Sequence, residues 1–223
     1  NKNEINGLFR TQSNHVILYD NFEVLSLVPT PIHQQISECI KHLRIEKGLK
    51  LLMKSSPTQP ELRAFQAESG FALLCNLQWK RSMEHFEISD VDPRDIIYLF
   101  PEIKFTGFDY QIQHASAPKD CSIHDIIDEV LTYKRSMSTS TTSPTAANRA
   151  GFRFEEEKQS EYLNGIYYLG QFLWKRRSEP SSDDLKLVGA ELKLCVDTAL
   201  LKIYVELMDK KYKQINQDLA SSA

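Results

Sequence analysis

The residues closest to a metal-binding pattern are His114, Cys121 and His124. Cys121 and His124 have the C-x-x-H spacing that can chelate a metal ion, and His114 lies seven residues before the cysteine. A structural zinc site normally takes four protein ligands, and the sequence offers no fourth ligand close by. We therefore interpret the three residues as ordinary parts of the fold, and we expect neither a metal nor another cofactor.

Three acidic residues, Asp90, Asp92 and Asp95, raise the question of paired carboxylates for general acid–base catalysis. The segment from Asp92 to Asp95 is also a typical helix start, because aspartate caps the first turn and Pro93 fits the first helical position. The sequence has no glycine-rich loop to hold a phosphate and no elbow that would present a serine nucleophile. We therefore predict no catalytic residue and do not expect an enzyme.

Two groups of basic residues each allow two interpretations. Lys47, Lys50 and Lys54 lie on one side of a predicted helix, with Arg44 nearby. Such a stripe is usually a solvated helix face, and the alternative is contact with an acidic lipid or an acidic partner. The run KRR at residues 175–177 has the same alternatives, but its place at a predicted helix end, where cations are favourable, supports the first. The sequence assigns no partner-binding residue.

The composition excludes several classes of protein. A net charge of −3 gives no general attraction to nucleic acid. The chain has 8 glycines in 223 residues, well below the usual share of about 7%, which disfavours a many-turned β fold. No apolar run reaches the roughly 18 residues of a membrane helix. The four cysteines contain no C-x-x-C pair and are interpreted as reduced thiols. The chain begins at Asn1 without a signal peptide, so we interpret it as a fragment of a cytosolic protein.

The first 29 residues differ from the rest of the chain. Residues 15–19 and 23–28 are rich in β-branched and aromatic side chains, and Asp20 and Asn21 between them are typical turn residues. We predict a β-hairpin, with residues 7–10 as a third strand. Two or three strands are not stable alone. They must pack on the helices or belong to the edge of a larger sheet upstream.

Helical patterns begin at Pro31, with Thr30 as the expected cap, and continue to about residue 208; residues 209–223 are polar and are expected to fray. The pair Thr58 and Glu61 predicts a capping box, residues 101–120 predict an irregular connector, and the apolar residues after Ser122 predict another helix. Eight of the fourteen residues from 136 to 149 are serine or threonine, which predicts a flexible linker. A long helix is expected over residues 155–177. Its aromatic residues are first a packing set, and an exposed subset could form an interaction hot spot; they are Tyr162, Tyr167, Tyr168, Phe172 and Trp174.

The last helix is predicted to start at Asp183 and Asp184 and to carry two apolar rows. One row has spacings of three and four; it contains Leu185, Val188, Leu192, Cys195 and Ala199. The other has a spacing of seven; it contains Leu187, Leu194, Leu201 and Met208. Two rows indicate packing against two neighbours, as in a stack of helical hairpins. We therefore predict a mainly α protein, an α-solenoid without a clean fixed-period repeat. Along the chain we expect strands at 1–29, a helical region at 30–135, the linker at 136–154 and a second helical region at 155–223.

Three segments together resemble a known family. They are residues 27–36 (LVPTPIHQQI), residues 71–101, and residues 197–204 (DTALLKIY). In order and approximate spacing they are similar to the vacuolar sorting protein 39 and TGF-β receptor-associated protein family, whose members are subunits of the HOPS and CORVET tethering complexes. The resemblance implies that residues 1–29 are the last strands of an N-terminal citron-homology β-propeller, followed by the α-solenoid.

The resemblance also implies a function. Family members tether membranes that carry Rab GTPases before fusion, so we expect a scaffold segment that binds other HOPS or CORVET subunits and a Rab GTPase, without nucleic acid. It would be cytoplasmic and peripheral on endosome and lysosome or vacuole membranes. One alternative is a cytosolic signalling adaptor on receptor tails; another is a Rab nucleotide-exchange factor. The resemblance transfers no catalytic residue to this sequence.

Overall fold

The computed structural model describes residues 7–12, 15–19, 23–107, 109–138, 146–178 and 189–221. Two compact units are present, Asn1–Pro57 and Thr58–Ala223. The boundary between them lies inside the region 30–135 that we expected to be one helical region. In the described residues eight helices follow a three-stranded sheet, which confirms a mainly α fold with a short β segment at its start.

The sheet of the first unit is antiparallel, with strands β1 (Gly7–Arg10), β2 (Val16–Tyr19) and β3 (Val24–Leu27) in that order. Gly7 pairs with Tyr19, and Val16 pairs with Leu27. The predicted hairpin and third strand are therefore confirmed. The turn expected at residues 20–21 lies outside the described residues. The assignment of these strands to a β-propeller stays a prediction.

Helices α1 (Ile32–Lys41) and α2 (Ile45–Met53) pack against each other in the first unit. Their contact buries Cys39, Ile40 and Ile45. The expected cap at Thr30 is wrong, because the N-cap residue is Pro31 and no side chain caps the helix. The Thr30 carbonyl instead accepts a hydrogen bond from Gln35 Nε2 at 2.7 Å. The helix therefore begins one residue later than predicted.

The second unit contains six helices in its described residues: α3 (Gln59–Leu74), α4 (Trp79–Glu87), α5 (Pro93–Ile97), α6 (Ile123–Ser138), α7 (Ala146–Ser178) and α8 (Ala190–Ser221). The capping box is confirmed, since the Thr58 backbone donates to Glu61 Oε2 at 2.7 Å and the Glu61 backbone donates to Thr58 Oγ1. Helix α3 packs on α4, α4 and α6 pack on α7, and α8 packs on α7 and α5. One continuous core joins these helices.

Two boundaries in the second unit differ from the prediction. Helices α6 and α7 extend into both ends of the segment 136–154 that we expected to be a linker, and only residues 139–145 of it lie outside the described residues. Helix α8 begins at Ala190, because Gly189 before it has a φ of 96° that no helix contains. The predicted start at residues 183–184 lies outside the described residues. At its other end α8 continues to Ser221, although we expected residues 209–223 to fray.

Candidate interaction surface

Helices α7 and α8 present one side to the core. The inward row of α7 is fully buried, as its spacing predicts; it consists of Tyr162, Ile166, Leu169, Phe172 and Leu173. The inward row of α8 consists of Cys195, Val196, Ala199 and Ile203. The two helices approach closely at Gly170, where an added Cβ would lie 3.1 Å from Ile203 Cγ2. This close contact fixes how the two helices present their outer sides.

The outer side of the same two helices is apolar and exposed. On α8, Leu194 and Met208 are about half exposed, Leu201 is 68% exposed, and Tyr204 is 63% exposed. We expected the two rows of α8 to pack against two neighbours; α8 does pack on α7 and α5, but Leu194, Leu201 and Met208 of this row stay exposed. Leu187, the first member of the predicted row, lies outside the described residues.

A groove of about 680 Å³ runs between the outer sides of α7 and α8. Tyr167 and Trp174 line it from α7, and Leu201 and Tyr204 line it from α8. Trp174 is 65% exposed, whereas Phe172, two residues before it, is completely buried. Of the aromatic residues flagged in the sequence, Tyr167 and Trp174 therefore form the exposed subset, and Tyr162 and Phe172 belong to the core.

Polar contacts are few in this groove. Gln171 Nε2 donates to the Tyr167 hydroxyl at 2.8 Å, and Arg177 Nε donates to Asp197 Oδ1 at 2.8 Å. Both members of the Arg177–Asp197 pair are about half exposed. Exposed aromatic and aliphatic side chains with a charged rim are typical of protein-binding surfaces. The arrangement can hold another apolar surface and offers no group poised for bond chemistry.

The three residues closest to a metal-binding pattern lie in separate surroundings. His114 Nδ1 accepts a hydrogen bond from the Ser116 backbone at 3.2 Å, and its ring lies against Phe71. His124 Nε2 contacts Glu102 Oε1 at 2.8 Å. Cys121 is half buried, and burial raises the pKa of its thiol. In the part of the chain that the structure describes, no group of three histidine, cysteine or acidic residues is arranged to hold a metal ion.

The three aspartates have three different structural roles. Asp90 Oδ1 accepts from Arg63 Nη1 at 2.8 Å. Asp92 caps α5, as predicted, by accepting from the Arg94 backbone at 2.9 Å. Asp95 is only 3% exposed and points away from solvent. Each carboxylate therefore has a structural partner, and the structure brings no two of them together as a hydrogen-bonded pair among the residues described.

Asp95 organises the irregular segment after α5. Its Oδ1 accepts from the Tyr110 hydroxyl at 2.8 Å and from the Gln113 backbone at 2.7 Å, and its Oδ2 accepts from the His114 backbone at 3.1 Å. Burial and the Asp95 carboxylate raise the pKa of Tyr110, so this phenol stays a hydrogen-bond donor at neutral pH. The sequence predicted Asp95 only as an acid in a first helical turn.

The two groups of basic residues in the sequence differ in their exposure. The side chains of Lys47 and Lys50 on α2 and of Lys54 at its C-cap are exposed, as the predicted solvated face requires. In the run at 175–177, Lys175 Nζ pairs with Glu87 Oε2 at 2.6 Å, and Arg176 is only 9% exposed.

Arg176 is a structural residue that sequence reasoning missed. Its Nη2 donates to the backbone carbonyls of Phe86 and Ser89, both at 3.0 Å. Burial lowers the pKa of this guanidinium below its usual value, although the nearby carboxylates of Asp90 and Glu87 act in the opposite direction. The residue ties the end of α7 to the end of α4, so the KRR run is not a continuous solvated patch.

Comparison with curated proteins finds two kinds of relative. Vam6/Vps39-like protein of Mus musculus is 27% identical over 134 residues, which are 56% of this chain and 15% of that protein. Transforming growth factor-beta receptor-associated protein 1 of Mus musculus is 28% identical over 105 residues, which are 44% of this chain and 12% of that protein. The resemblance that the three motifs indicated is therefore confirmed as a weak and partial likeness to these two kinds of protein.

The matches cover about half of this chain and a small part of each relative. The Vam6/Vps39-like protein of Homo sapiens gives the same 27% identity over 134 residues. The chain spans only 12–15% of the length of these relatives. No protein-family model and no solved structure matches the chain. Across the residues that the structure describes, no helix combines the length and apolar character needed to cross a bilayer.

Proposed function

We propose that this chain is a scaffold segment of a membrane-tethering subunit of the HOPS or CORVET type. The observation that carries the proposal is the likeness to Vam6/Vps39-like protein and to TGF-beta receptor-associated protein 1. The subunit would act with a Rab GTPase in vesicle docking and fusion on the endosome and lysosome or vacuole pathway. It would be cytoplasmic and would reach membranes through its partners.

The physical mechanism is multivalent binding. Tethering needs several contacts of moderate strength on one rigid body, because linked contacts act at high effective concentration. The continuous core of the second unit and the exposed apolar groove between α7 and α8 suit such a role. No residue is required to make or break a covalent bond.

The test uses the full protein that carries this chain. Affinity-tagged at its own locus, it should co-purify with the shared HOPS or CORVET core subunits, and it should bind a Rab loaded with GTP in preference to GDP. Deleting the gene should slow cargo delivery to the lysosome or vacuole. Recovery of the intact protein without any core subunit, together with normal delivery in the deletion strain, would contradict the proposal.

A signalling adaptor is the second candidate, favoured by the name of one relative, a receptor-associated protein. It predicts binding to a receptor cytoplasmic tail and an unchanged endosomal phenotype on deletion. A Rab nucleotide-exchange factor is the third candidate. It predicts faster release of labelled GDP from a Rab at micromolar protein, and unchanged release excludes it.

A further inference from the structure

Three lysines lie along one side of α2. At about 100° per residue, Lys47, Lys50 and Lys54 fall within an arc of roughly 60° and extend over about 10 Å of the helix axis. All three side chains are exposed, and so is that of Arg44 at the N-cap. We call these four residues the basic face of α2. The opposite side of the helix packs on α1 and buries Ile45.

The basic face has no acidic partner. Within the described residues, no hydrogen bond or ion pair engages its four side chains. Six basic side chains described in the second unit, by contrast, lie 3.5 Å or less from a carboxylate oxygen; they are Arg63, Arg94, Arg135, Lys158, Lys175 and Arg177. Like charges three or four residues apart repel each other and slightly disfavour a helix. The arrangement therefore adds no stability to α2 and leaves its positive charges available to an anionic ligand.

The segment around α2 is positive in a chain that is negative overall. Residues 31–57 contain five basic and two acidic residues, a net charge of +3, whereas the whole chain carries −3. Of the two acidic residues, Glu38 is paired with Lys41 at 2.8 Å, and Glu46 lies outside the arc of the lysines. The Debye length at 0.1 M salt, about 10 Å, is close to the length of the basic face. Its charges therefore act together on an anionic surface.

The residue types favour a lipid surface over a protein. Protein hot spots are rich in tryptophan, tyrosine and arginine, but residues 31–57 contain no aromatic residue and one arginine. Lysine ammonium groups are point charges on flexible stems, which suit the mobile phosphates of lipid headgroups, whereas the fixed fork of arginine suits a carboxylate of defined geometry. The outer side of a helix is also convex, so it can meet a bilayer surface without a pocket.

We infer that the basic face of α2 binds the anionic headgroups of a membrane surface. The contact is electrostatic and shallow, because the side of α2 opposite the lysines packs on α1 and cannot enter the bilayer as the apolar side of an interfacial helix does. Each basic residue near an anionic leaflet adds about fivefold to the affinity, so binding by one copy is reversible. The inference goes beyond the proposed function, in which partners bring the chain to membranes, and it requires no tethering subunit.

The first test is co-sedimentation of the purified 223-residue chain with vesicles. At about 0.1 M salt we expect binding to vesicles made of equal parts phosphatidylcholine and phosphatidylserine, and no binding to phosphatidylcholine alone. Raising the salt to about 1 M shortens the Debye length to about 3 Å and should release the chain.

The second test removes the charges. A triple variant of the basic face should bind the acidic vesicles about 100-fold more weakly, at about fivefold for each charge; it carries Lys47→Gln, Lys50→Gln and Lys54→Gln. Arginine at the same three positions should preserve binding, because the charge is kept. The matched control has the same net charge as the glutamine variant and should bind like the original chain. It changes exposed lysines on separate elements of the second unit, Lys80→Gln, Lys119→Gln and Lys193→Gln. Circular dichroism shows whether each variant remains folded.

Three results would overturn the inference. One is an absence of binding to the phosphatidylserine vesicles at about 0.1 M salt. Another is equal vesicle binding by the folded glutamine variant of the basic face and by its matched control. The third is tighter binding to a soluble polyglutamate peptide than to the vesicles, lost in the same variant, which would assign the basic face to an acidic protein.

Discussion

Replacing Asp95 by asparagine should destabilise the second unit without changing the size of the side chain. Asp95 is 3% exposed and accepts three hydrogen bonds from the segment after α5. An asparagine keeps one oxygen acceptor and presents an amide donor in place of the other oxygen. At least one backbone N–H, that of Gln113 or His114, then faces a donor instead of an acceptor.

The magnitude follows from these contacts. Hydrogen bonds to an ionised acceptor contribute about 1.5–3 kcal/mol each, and a buried donor left unpaired costs a further 1–3 kcal/mol or so. Because one acceptor oxygen survives, we expect a loss of roughly 2–4 kcal/mol, a large part of the usual total of about 5–15 kcal/mol. With a urea m-value of roughly 2–3 kcal/mol/M, the unfolding midpoint should fall by about 1 M.

The assay is urea unfolding followed by tryptophan fluorescence. Trp79 and Trp174, the two tryptophans of the chain, both lie in the second unit, so the signal reports that unit. Asp120→Asn is the matched control, because Asp120 is exposed on the same irregular segment and should change stability by less than about 0.5 kcal/mol. Amide exchange at Gln113 and His114 should also speed up in the Asp95→Asn variant. Equal midpoints for the two variants would refute the assigned role of Asp95.

Three further predictions test the packing and ionisation of the described residues. Gly70→Ala should destabilise the protein by about 1–3 kcal/mol in thermal unfolding, because the new Cβ would lie 2.5 Å from a phenylalanine ring of α4. The control Gly165→Ala, whose new Cβ would have contacts no closer than 3.4 Å, should be neutral or slightly stabilising. Burial raises the pKa of the Cys75 and Cys195 thiols to about 11, so neither should react readily with a thiol reagent at pH 7 until denaturant is added. Rapid labelling of either of these two cysteines in the folded chain, located by peptide mass spectrometry, would contradict this. Burial pushes the pKa of Glu102 up, but hydrogen bonds from its backbone, a histidine and a tyrosine hold it below its usual 4.5. Its stabilising contribution should be complete above pH 4.5 and be lost as pH falls through the lowered pKa, so the difference in midpoint between wild type and Glu102→Gln should vanish in acid.

Local sequence patterns were sufficient to predict the features that depend only on residues close together along the chain. The capping box of Thr58 and Glu61 and the cap at Asp92 use groups within three residues of each other, and both are confirmed. The inward row of α7 follows from the 3.6-residue helical period. The same period separates Phe172 from Trp174 by about 200°, so the opposite burial of these two aromatics was also within reach of the sequence.

The remaining features depend on distant parts of the chain. Arg176 is buried because the end of α4, almost ninety residues earlier, supplies two carbonyl acceptors. Asp95 is buried because a later segment brings three donors to it. Neither contact leaves a local signal in the sequence. The exposed row of α8 did leave a signal, the seven-residue spacing of Leu194, Leu201 and Met208, but the sequence alone could not show that these side chains are exposed.

The exposed apolar row of α8 consists of Leu194, Leu201 and Met208. Its side chains remain in water, so they contribute little to the stability of the unit, and an apolar surface that stays exposed favours association. The backbone beneath it is held by the close contact between Gly170 and Ile203 and by the buried inward rows of both helices. A partner would therefore meet a surface that is already ordered, and binding would cost little conformational entropy. Such an ordered apolar surface would serve the proposed scaffold as a place for another helix to dock.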